Sequence, residues 1–194
     1  MLTANEKRLL RYLATEPETH SINQLAKALQ LAPNGAYKIL KKGEKENIFN
    51  VKTIANIKGY SLNFLSEKTE NVLALAFLDN LMNKRVEQRM HDLRPLKKIV
   101  KACVIFGSYI TLKENPQDID ILFILAKKDF KQYKTDLILV QELMPVKIHD
   151  VIQTQEDMKK NRKDPVIINA LREGYVVWGV EYLIKVIKAW QTKN

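Results

Sequence analysis

The stretch Val104-Ile105-Phe106-Gly107-Ser108, followed after a polar gap by Asp118-Ile119-Asp120-Ile121-Leu122-Phe123-Ile124-Leu125, decides the fold of the second half of this chain. Lys101–Phe106 is short and rich in β-forming residues, and Gly107-Ser108 ends it. The second run is too short and too β-branched to favour a helix. Because side chains alternate along a strand, Asp118 and Asp120 lie on one face. The stretch predicts a strand, a glycine turn, a connector and a second strand.

The two carboxylates at the start of the second strand repel each other unless a cation lies between them. Mg²⁺ suits this position, because it binds one or two carboxylates together with substrate phosphates. Gly107 allows a close approach of the backbone to a ligand, and Ser108 can open a helix whose free N–H groups hold a phosphate. These residues predict a metal site beside a phosphate site. The alternative is an ordinary pair of strands with polar residues at its mouth.

Phe106-Gly107-Ser108 followed by Asp118-Ile119-Asp120 resembles the GS…DxD signature of the DNA polymerase β-like nucleotidyltransferases, especially their minimal domains. The resemblance implies a mixed sheet flanked by helices, two Mg²⁺ ions and a nucleoside triphosphate, with ATP expected. It implies that Gly107 and Ser108 bind the triphosphate and that Asp118 and Asp120 are catalytic metal ligands. Gly174 and a short strand ending at Trp178-Gly179 resemble the end of such domains.

The chain departs from that family's pattern in three places, of which the first is the spacing of 11 residues from Gly107 to Asp118, about one residue shorter than the family's. Leu112 and Lys113 stand where many members have a second glycine. The third metal carboxylate is expected on the strand after Pro145, where spacing gives Lys147 instead. Asp150 is the only carboxylate on that strand and is the candidate third catalytic residue, although its parity is opposite to that of Lys147. Lys147 is a candidate contact for the triphosphate.

The first 65 residues are predicted to form a separate domain. Thr3 or Asn5 can cap a first helix, Ser21 a second, and Pro33 suits the first turn of a third that ends near Lys45. Two short β-like runs follow, at 48–53 and 56–62. Helix, helix, turn, helix and two strands resemble a winged helix-turn-helix domain.

Positive charge is concentrated on the third predicted helix of this domain. The whole chain has a formal net charge of +10, which favours polyanionic partners. Lysines on a helix that enters a major groove contact phosphates, and a tyrosine or an asparagine there can reach base edges. The alternative is a solvated face on a domain that contacts proteins. The predicted nucleic-acid-binding residues are Asn34, Tyr37, Lys38, Lys41, Lys42, Lys45 and Lys58.

The remaining segments complete an α+β architecture. Residues 66–97 are predicted to be a linking helix, because apolar residues recur at threes and fours from Glu67 to about Arg94. This helix serves either as a strut or as a dimer seam, so an oligomer is an open expectation. Residues 98–194 are predicted to be the nucleotidyltransferase domain. One cysteine, no secretory pattern and no long apolar run predict a cytoplasmic protein without a membrane partner.

Two functions compete at this point. The first is a Mg²⁺-dependent nucleotidyltransferase that acts on a protein, nucleic-acid or small-molecule acceptor and carries a nucleic-acid-binding domain. The second is a non-catalytic DNA-binding transcriptional regulator, or an antitoxin-like protein, with a degenerate nucleotidyltransferase domain. The short domain resembles antitoxins that nucleotidylate a partner protein, which implies a toxin-like partner.

Overall fold

The computed structural model describes residues 1–78, 84–111 and 116–191. The chain has an α+β fold, as predicted, and divides into two compact units. The first consists of Met1–Asp79 together with Ile187–Asn194, and the second of Asn80–Val186. No helix among the described residues is both long enough and apolar enough to cross a bilayer.

The first unit begins with three helices whose starts are set by local sequence. Thr3 caps the first helix through a capping box with Glu6, and Ser21 caps the second through a capping box with Gln24. Pro33 occupies the first turn of the third. The elements are α1 (Ala4–Thr15), β1 (His20–Ser21), α2 (Ile22–Leu29), α3 (Pro33–Lys45), β2 (Phe49–Ile54), β3 (Ile57–Leu62) and α4 (Glu67–Leu78).

A three-stranded antiparallel sheet in the order β1-β3-β2 completes the first unit. Strands β2 and β3 are joined by Ala55-Asn56, which both have positive φ, as a two-residue type I′ turn requires. Leu9, Leu40 and Tyr60 are fully buried between the helices and the sheet. The helix-turn-helix formed by α2 and α3, followed by the β2–β3 hairpin, is the predicted winged helix-turn-helix arrangement. The short strand β1 was not predicted, because two residues show no alternation.

The second unit is built on a four-stranded sheet in the order β6-β5-β4-β7. Strands β5 and β6 are parallel and the other pairs antiparallel. A 3-10 turn over Arg94–Lys98 precedes β4, and another over Lys127–Asp129 precedes α7. The elements are α5 (Lys84–Leu93), β4 (Val100–Phe106), α6 (Ser108–Thr111), β5 (Asp118–Leu125), α7 (Phe130–Leu143), β6 (Lys147–Gln153), α8 (Gln155–Lys160), α9 (Pro165–Glu173), β7 (Tyr175–Trp178) and α10 (Val180–Gln191).

The two faces of this sheet differ in chemistry at the start of β5. Ile119, Ile121 and Phe123 lie on one face and are fully buried in a core that includes Tyr133 of α7. Asp118 and Asp120 lie on the opposite face because side chains alternate. The register pairs Asp120 with the last residue of β4 on one side and with β6 on the other. The two carboxylates therefore lie where β4 ends and where β5 and β6 begin.

The predicted division of the chain differs from the observed units in two respects. Residues 79–83, inside the predicted linking helix 66–97, lie outside the described residues. On either side of them α4 belongs to the first unit and α5 to the second, so the segment 66–97 is not a separate body. The end of α10 also belongs to the first unit, where Lys188 Nζ lies 2.6 Å from Glu70 Oε1. The prediction assigned it to the domain 98–194.

Candidate functional site

The outward face of α3 brings most of the predicted nucleic-acid-binding residues together. Ala36, Leu40 and Gly43 turn the opposite face of this helix into the core. Tyr37 is 46% exposed, and Asn34 is exposed at the start of the helix. A shallow depression of the surface is lined by Tyr37, Lys38, Lys41, Lys42, Lys45 and Glu46.

Acidic side chains hold several of these lysines in place. Lys41 Nζ lies 2.7 Å from one oxygen of Glu44, and Lys58 Nζ of β3 lies 3.3 Å from the other. The hydrogen bond from Lys41 lowers the pKa of Glu44. Lys42 Nζ lies 2.7 Å from Glu6 Oε1. Glu44 therefore connects α3 to the β2–β3 hairpin and positions Lys58 beside the helix.

Lys38 and Lys45 have a different environment. Both are exposed, and they lie about two turns apart along α3. Within the described part of the chain neither has an acidic partner. Their charges are therefore not compensated by a neighbouring carboxylate, and they are the lysines of this face best able to bind an external anion.

The second candidate site lies at the strand ends of the second unit. Gly107 has a φ of +77°, and a Cβ atom placed there would collide with the Asp120 carboxylate. Glycine is thus needed both for the left-handed backbone and for the approach of Asp120. His149 of β6 faces the same side, with its Nδ1 3.6 Å from Asp118 Oδ2 and 3.7 Å from Asp120 Oδ1. His149 therefore lies within 3.7 Å of both carboxylates, and we call these three residues the strand-end cluster.

The electrostatics of the strand-end cluster favour a positive charge. Burial raises the pKa of Asp120, the charge of Asp118 raises it further, and His149 partly offsets both effects. Carboxylates that share a site stabilise each other's protonated form or attract a cation. Lys147 is exposed and pairs in register with Asp118. Ser108 is exposed and begins α6, which has four residues. The predicted triphosphate contacts of Gly107, Ser108 and Lys147 stay predictions.

Asp150 is not part of this cluster, and its grouping with Asp118 and Asp120 has to be corrected. It pairs in register with Ile121, on the opposite face of the sheet. There its Oδ2 accepts hydrogen bonds from the Tyr133 hydroxyl and from Lys134 Nζ, both at 3.0 Å. Burial, followed by the charge of Asp150, raises the pKa of Tyr133 far above its usual range. Because side chains alternate along β6, Asp150 faces the side of the sheet opposite Lys147, as its parity in the sequence indicated.

His149 is the residue that sequence reasoning overlooked at this site. Its parity matches that of Lys147, and this was visible in the sequence. A histidine was not considered because the resemblance pointed to a third carboxylate. The parallel register of β5 and β6, which sets His149 opposite Asp120, could not be obtained from the sequence.

A further group of ligand-type side chains lies in the first unit. Glu16, Glu18 and His20 each offer one atom suited to a metal ion, and these atoms lie within 4.8 Å of one another. Glu16-Pro17-Glu18 follow α1, which ends at Thr15. In the structure these residues form the connection from α1 to β1.

Comparison with known proteins identifies the family of the chain. Residues 79–193 match a family model described as "Family of unknown function (DUF6932)". The match covers more than half of the 194 residues. The chain belongs to this family. No curated protein matches the chain.

Several solved structures of regulators are similar to the DUF6932 chain at a low level. MepR, a transcription regulator of the Staphylococcus aureus multidrug efflux pump MepA, is 14% identical, with a TM-score of 0.35 over 74% of this chain and 81% of that one. A mutant of Lactococcus lactis ZitR is 18% identical, with a TM-score of 0.33 over 74% and 77%. The adhesin competence repressor AdcR of Streptococcus pyogenes is 14% identical, with a TM-score of 0.33 over 73% and 82%. Scores this low carry no inference about the present chain.

The predicted membership in the polymerase β-like nucleotidyltransferases is wrong. The family model assigns the region of the GS…DxD motif to DUF6932 instead. The physical reason is that a glycine turn between two strands, with alternating aspartates at the mouth, is a short pattern that a sheet of another family can contain. The third carboxylate required by that resemblance also faces away from the cluster. Mg²⁺, a nucleoside triphosphate, a toxin-like partner, an oligomer and a cytoplasmic location stay predictions.

Proposed function

We propose that this protein is a DNA-binding regulator whose first unit contacts duplex DNA through α3. The observation that supports this most strongly is the exposed row of lysines on the outward face of α3, in a helix-turn-helix followed by a hairpin. The second helix of such a motif enters the major groove, where its cations contact phosphates. The formal net charge of +10 has the sign that attracts a polyanion.

The ion pairs on α3 divide the lysines into two roles. Lys38 and Lys45, which have no acidic partner in the described residues, contribute counterion release when they bind phosphates. Lys41 and Lys58 must break their ion pairs with Glu44 before they bind phosphate, so their contribution to the affinity for DNA is smaller. Exposed tyrosine and asparagine side chains can reach base edges, and on this face they are Tyr37 and Asn34.

The experiment is a salt titration of binding to a fluorescent DNA duplex, followed by anisotropy. Replacing both Lys38 and Lys45 with glutamine removes two phosphate contacts. The slope of log K against log salt should then decrease in magnitude by about 1.8, since each contact contributes about 0.9. Lys97→Gln/Lys98→Gln is the matched control, because it removes two exposed charges from the second unit. Equal slopes for the wild type and the α3 variant would refute α3 as the contact surface.

We also propose that the strand-end cluster of the second unit binds a divalent cation. The observation in its favour is that His149 Nδ1 lies 3.6 Å from Asp118 Oδ2 and 3.7 Å from Asp120 Oδ1 on one face of the sheet. Two carboxylates and an imidazole form a mixed oxygen and nitrogen donor set, which suits Mn²⁺ or Zn²⁺ better than Mg²⁺. The proposal concerns cation binding alone.

Calorimetry with Mn²⁺ and with Mg²⁺ tests this second proposal. We expect Mn²⁺ to bind more tightly than Mg²⁺, and His149→Asn to reduce the difference because it removes the nitrogen donor. Asp118→Asn/Asp120→Asn should abolish binding of both ions. Asp150→Asn is the control, because Asp150 faces the other side of the sheet. Absence of Mn²⁺ binding by the folded wild type would disprove the site.

A further inference from the structure

We propose that Ile54 and Ile57, at the tip of the β2–β3 hairpin, form an apolar wedge that enters the DNA minor groove and opens a base step. This inference rests on the proposed DNA binding and extends it from charge contacts to deformation of the duplex. The charge pattern alone gives the hairpin tip no function.

The hairpin tip presents the two isoleucines together and in the open. Ile54 and Ile57 are paired across the strands, immediately before and after the turn. Their exposures are 69% and 61%. The turn between them has only two residues, with φ of 46° at Ala55 and 66° at Asn56. β-branched side chains have few rotamers, so a pair of them on a tight hairpin is already ordered before it binds.

An exposed pair of this kind is better explained by a binding partner than by stability. Removing an isoleucine side chain from water is favourable, yet both side chains stay more than half exposed. Isolated apolar residues on a surface are common, but these two are paired with each other at the tip of a hairpin. Their position supports contact with a partner that has a narrow apolar cleft.

The surroundings of the pair favour DNA as that partner. Lys52 and Thr53 lead up to the tip on one strand, and Lys58 leaves it on the other; all three are exposed. Because side chains alternate, Lys58 lies on the face of the hairpin opposite the two isoleucines, where Glu44 holds it next to Lys41 of α3. Lys52 lies on the same face as the isoleucines, so cations border the tip on both faces. Cations that flank an apolar tip match the minor groove, whose phosphate rims enclose sugars and base edges.

Insertion of apolar side chains is an established way to bend DNA. Isoleucine is among the residues that enter between base steps, partly unstack them and kink the duplex. Pyrimidine–purine steps open most easily, so a wedge contributes selectivity at positions without hydrogen bonds to bases. The proposed wedge therefore predicts both a bend and a preference for flexible steps.

The test uses the full chain and a duplex of about 30 base pairs labelled at both ends, so that energy transfer reports bending and anisotropy reports affinity. Ile54→Ser/Ile57→Ser should weaken binding by on the order of tenfold and reduce the bend. The salt slope should stay unchanged, because no charge is removed. Leu75→Ser, at a 54% exposed residue of α4 in the same unit, is the matched control and should behave as the wild type. Circular dichroism verifies that each variant is folded.

The outcomes separate this inference from the function on which it rests. If the wild type does not bind the duplex, the proposed function and the wedge both fail. If the wild type binds and the isoleucine variant binds and bends DNA equally well, the wedge alone is overturned. If the isoleucines are needed for binding to anionic lipid vesicles and not for DNA, the partner is a membrane surface and the inference is likewise overturned.

Discussion

At the scale of single residues, Gly107 is the position where any added side chain would occupy the space of the Asp120 carboxylate. Its φ is +77°, and an added Cβ atom would meet the Asp120 carboxylate. We expect Gly107→Ala to lower the free energy of unfolding by roughly 2–3 kcal/mol, from backbone strain and displacement of Asp120. Chemical denaturation measures the loss.

Gly35 of α3 provides the matched control for that substitution. A Cβ atom there has no heavy atom within 4 Å, and φ is not in the left-handed region. Gly35→Ala should therefore raise the free energy of unfolding by up to about 1 kcal/mol, since alanine favours helices over glycine. If both alanine variants changed stability equally, the contact between Gly107 and Asp120 would not be the cause.

Asp120 gives a second prediction at this scale, concerning pH. Burial, with Asp118, raises the pKa of Asp120 in the folded protein. Because the pKa is raised in the folded protein, the protonated form of Asp120 stabilises the fold at pH values below the ordinary carboxyl pKa. This stabilisation is lost as the pH rises through the pKa of the folded protein. The ionised carboxylate is thus unfavourable at neutral pH. We expect Asp120→Asn to stabilise the protein by about 0.5 kcal/mol at pH 7, after solvent screening is considered.

The thermal midpoint at two pH values tests this expectation. The gain from Asp120→Asn should disappear near pH 3, where the wild-type carboxyl is protonated as well. Asp150→Asn serves as the comparison, because its carboxylate accepts bonds from Tyr133 and Lys134 and its removal should cost about 1 kcal/mol. A lower midpoint for Asp120→Asn at pH 7 would contradict the interpretation.

At the scale of elements, Glu6 joins the start of α1 to α3. Its carboxylate accepts a hydrogen bond from the Thr3 N–H and one from Lys42 Nζ, both at 2.7 Å. Burial alone would raise its pKa, but the bonds from Lys42 and Thr3 outweigh burial and lower it. Because the pKa of Glu6 is lowered in the folded protein, the ionised carboxylate stabilises the fold at pH values above its pKa in the unfolded chain, about 4.3. This stabilisation is lost as the pH falls through the pKa of Glu6 in the folded protein.

Glu6→Gln should therefore destabilise the first unit at neutral pH and matter less in acid. We expect a loss of about 1–2 kcal/mol at pH 7, since the charged acceptor is removed from two hydrogen bonds. Urea unfolding at pH 7 and pH 3 measures the difference between wild type and variant. Glu87→Gln, an exposed residue of α5, controls for the general loss of one charge. A difference that persists unchanged at pH 3 would argue against this pair of contacts.

The elements themselves were largely predictable, because local rules determine them. Capping residues gave the starts of α1 and α2, and Pro33 gave the start of α3, whose end near Lys45 was also predicted. The run Asp118–Leu125 is a strand over its whole predicted length. Contacts between distant segments were not predictable in the same way. The register that sets His149 beside Asp120 depends on the pairing of β5 with β6, and no local pattern encodes it.

At the scale of the whole molecule, α10 contributes residues to both units. Residues of α10 up to Val186 belong to the second unit, and those from Ile187 onward belong to the first. The sequence alone does not show which core covers the apolar side of this helix. Ile187 is fully buried and Trp190 is 5% exposed. Gln191 donates hydrogen bonds to the backbone carbonyls of Leu13 and Ala14 at the end of α1.

Trp190→Ala should consequently weaken the first unit although it lies far away in sequence. We expect a loss of about 3–5 kcal/mol, as for other large aromatic side chains removed from a core. Amide hydrogen exchange, measured peptide by peptide, should show faster exchange in α1 and α4 than in β4 and β5. Lys185→Ala, at an exposed position of the same helix, should leave exchange unchanged. Uniform acceleration throughout the chain would contradict the assignment of Trp190 to the first unit.

The shared helix also determines when the first unit can be finished during synthesis. Its residues 1–78 leave the ribosome well before Ile187 does. At about 5–20 residues per second, that delay lasts roughly 5–20 s. For this time the surfaces of α1 and α4 that α10 later covers are open to chaperones and to other nascent chains. The first unit is therefore completed only after the residues of the second unit have been made.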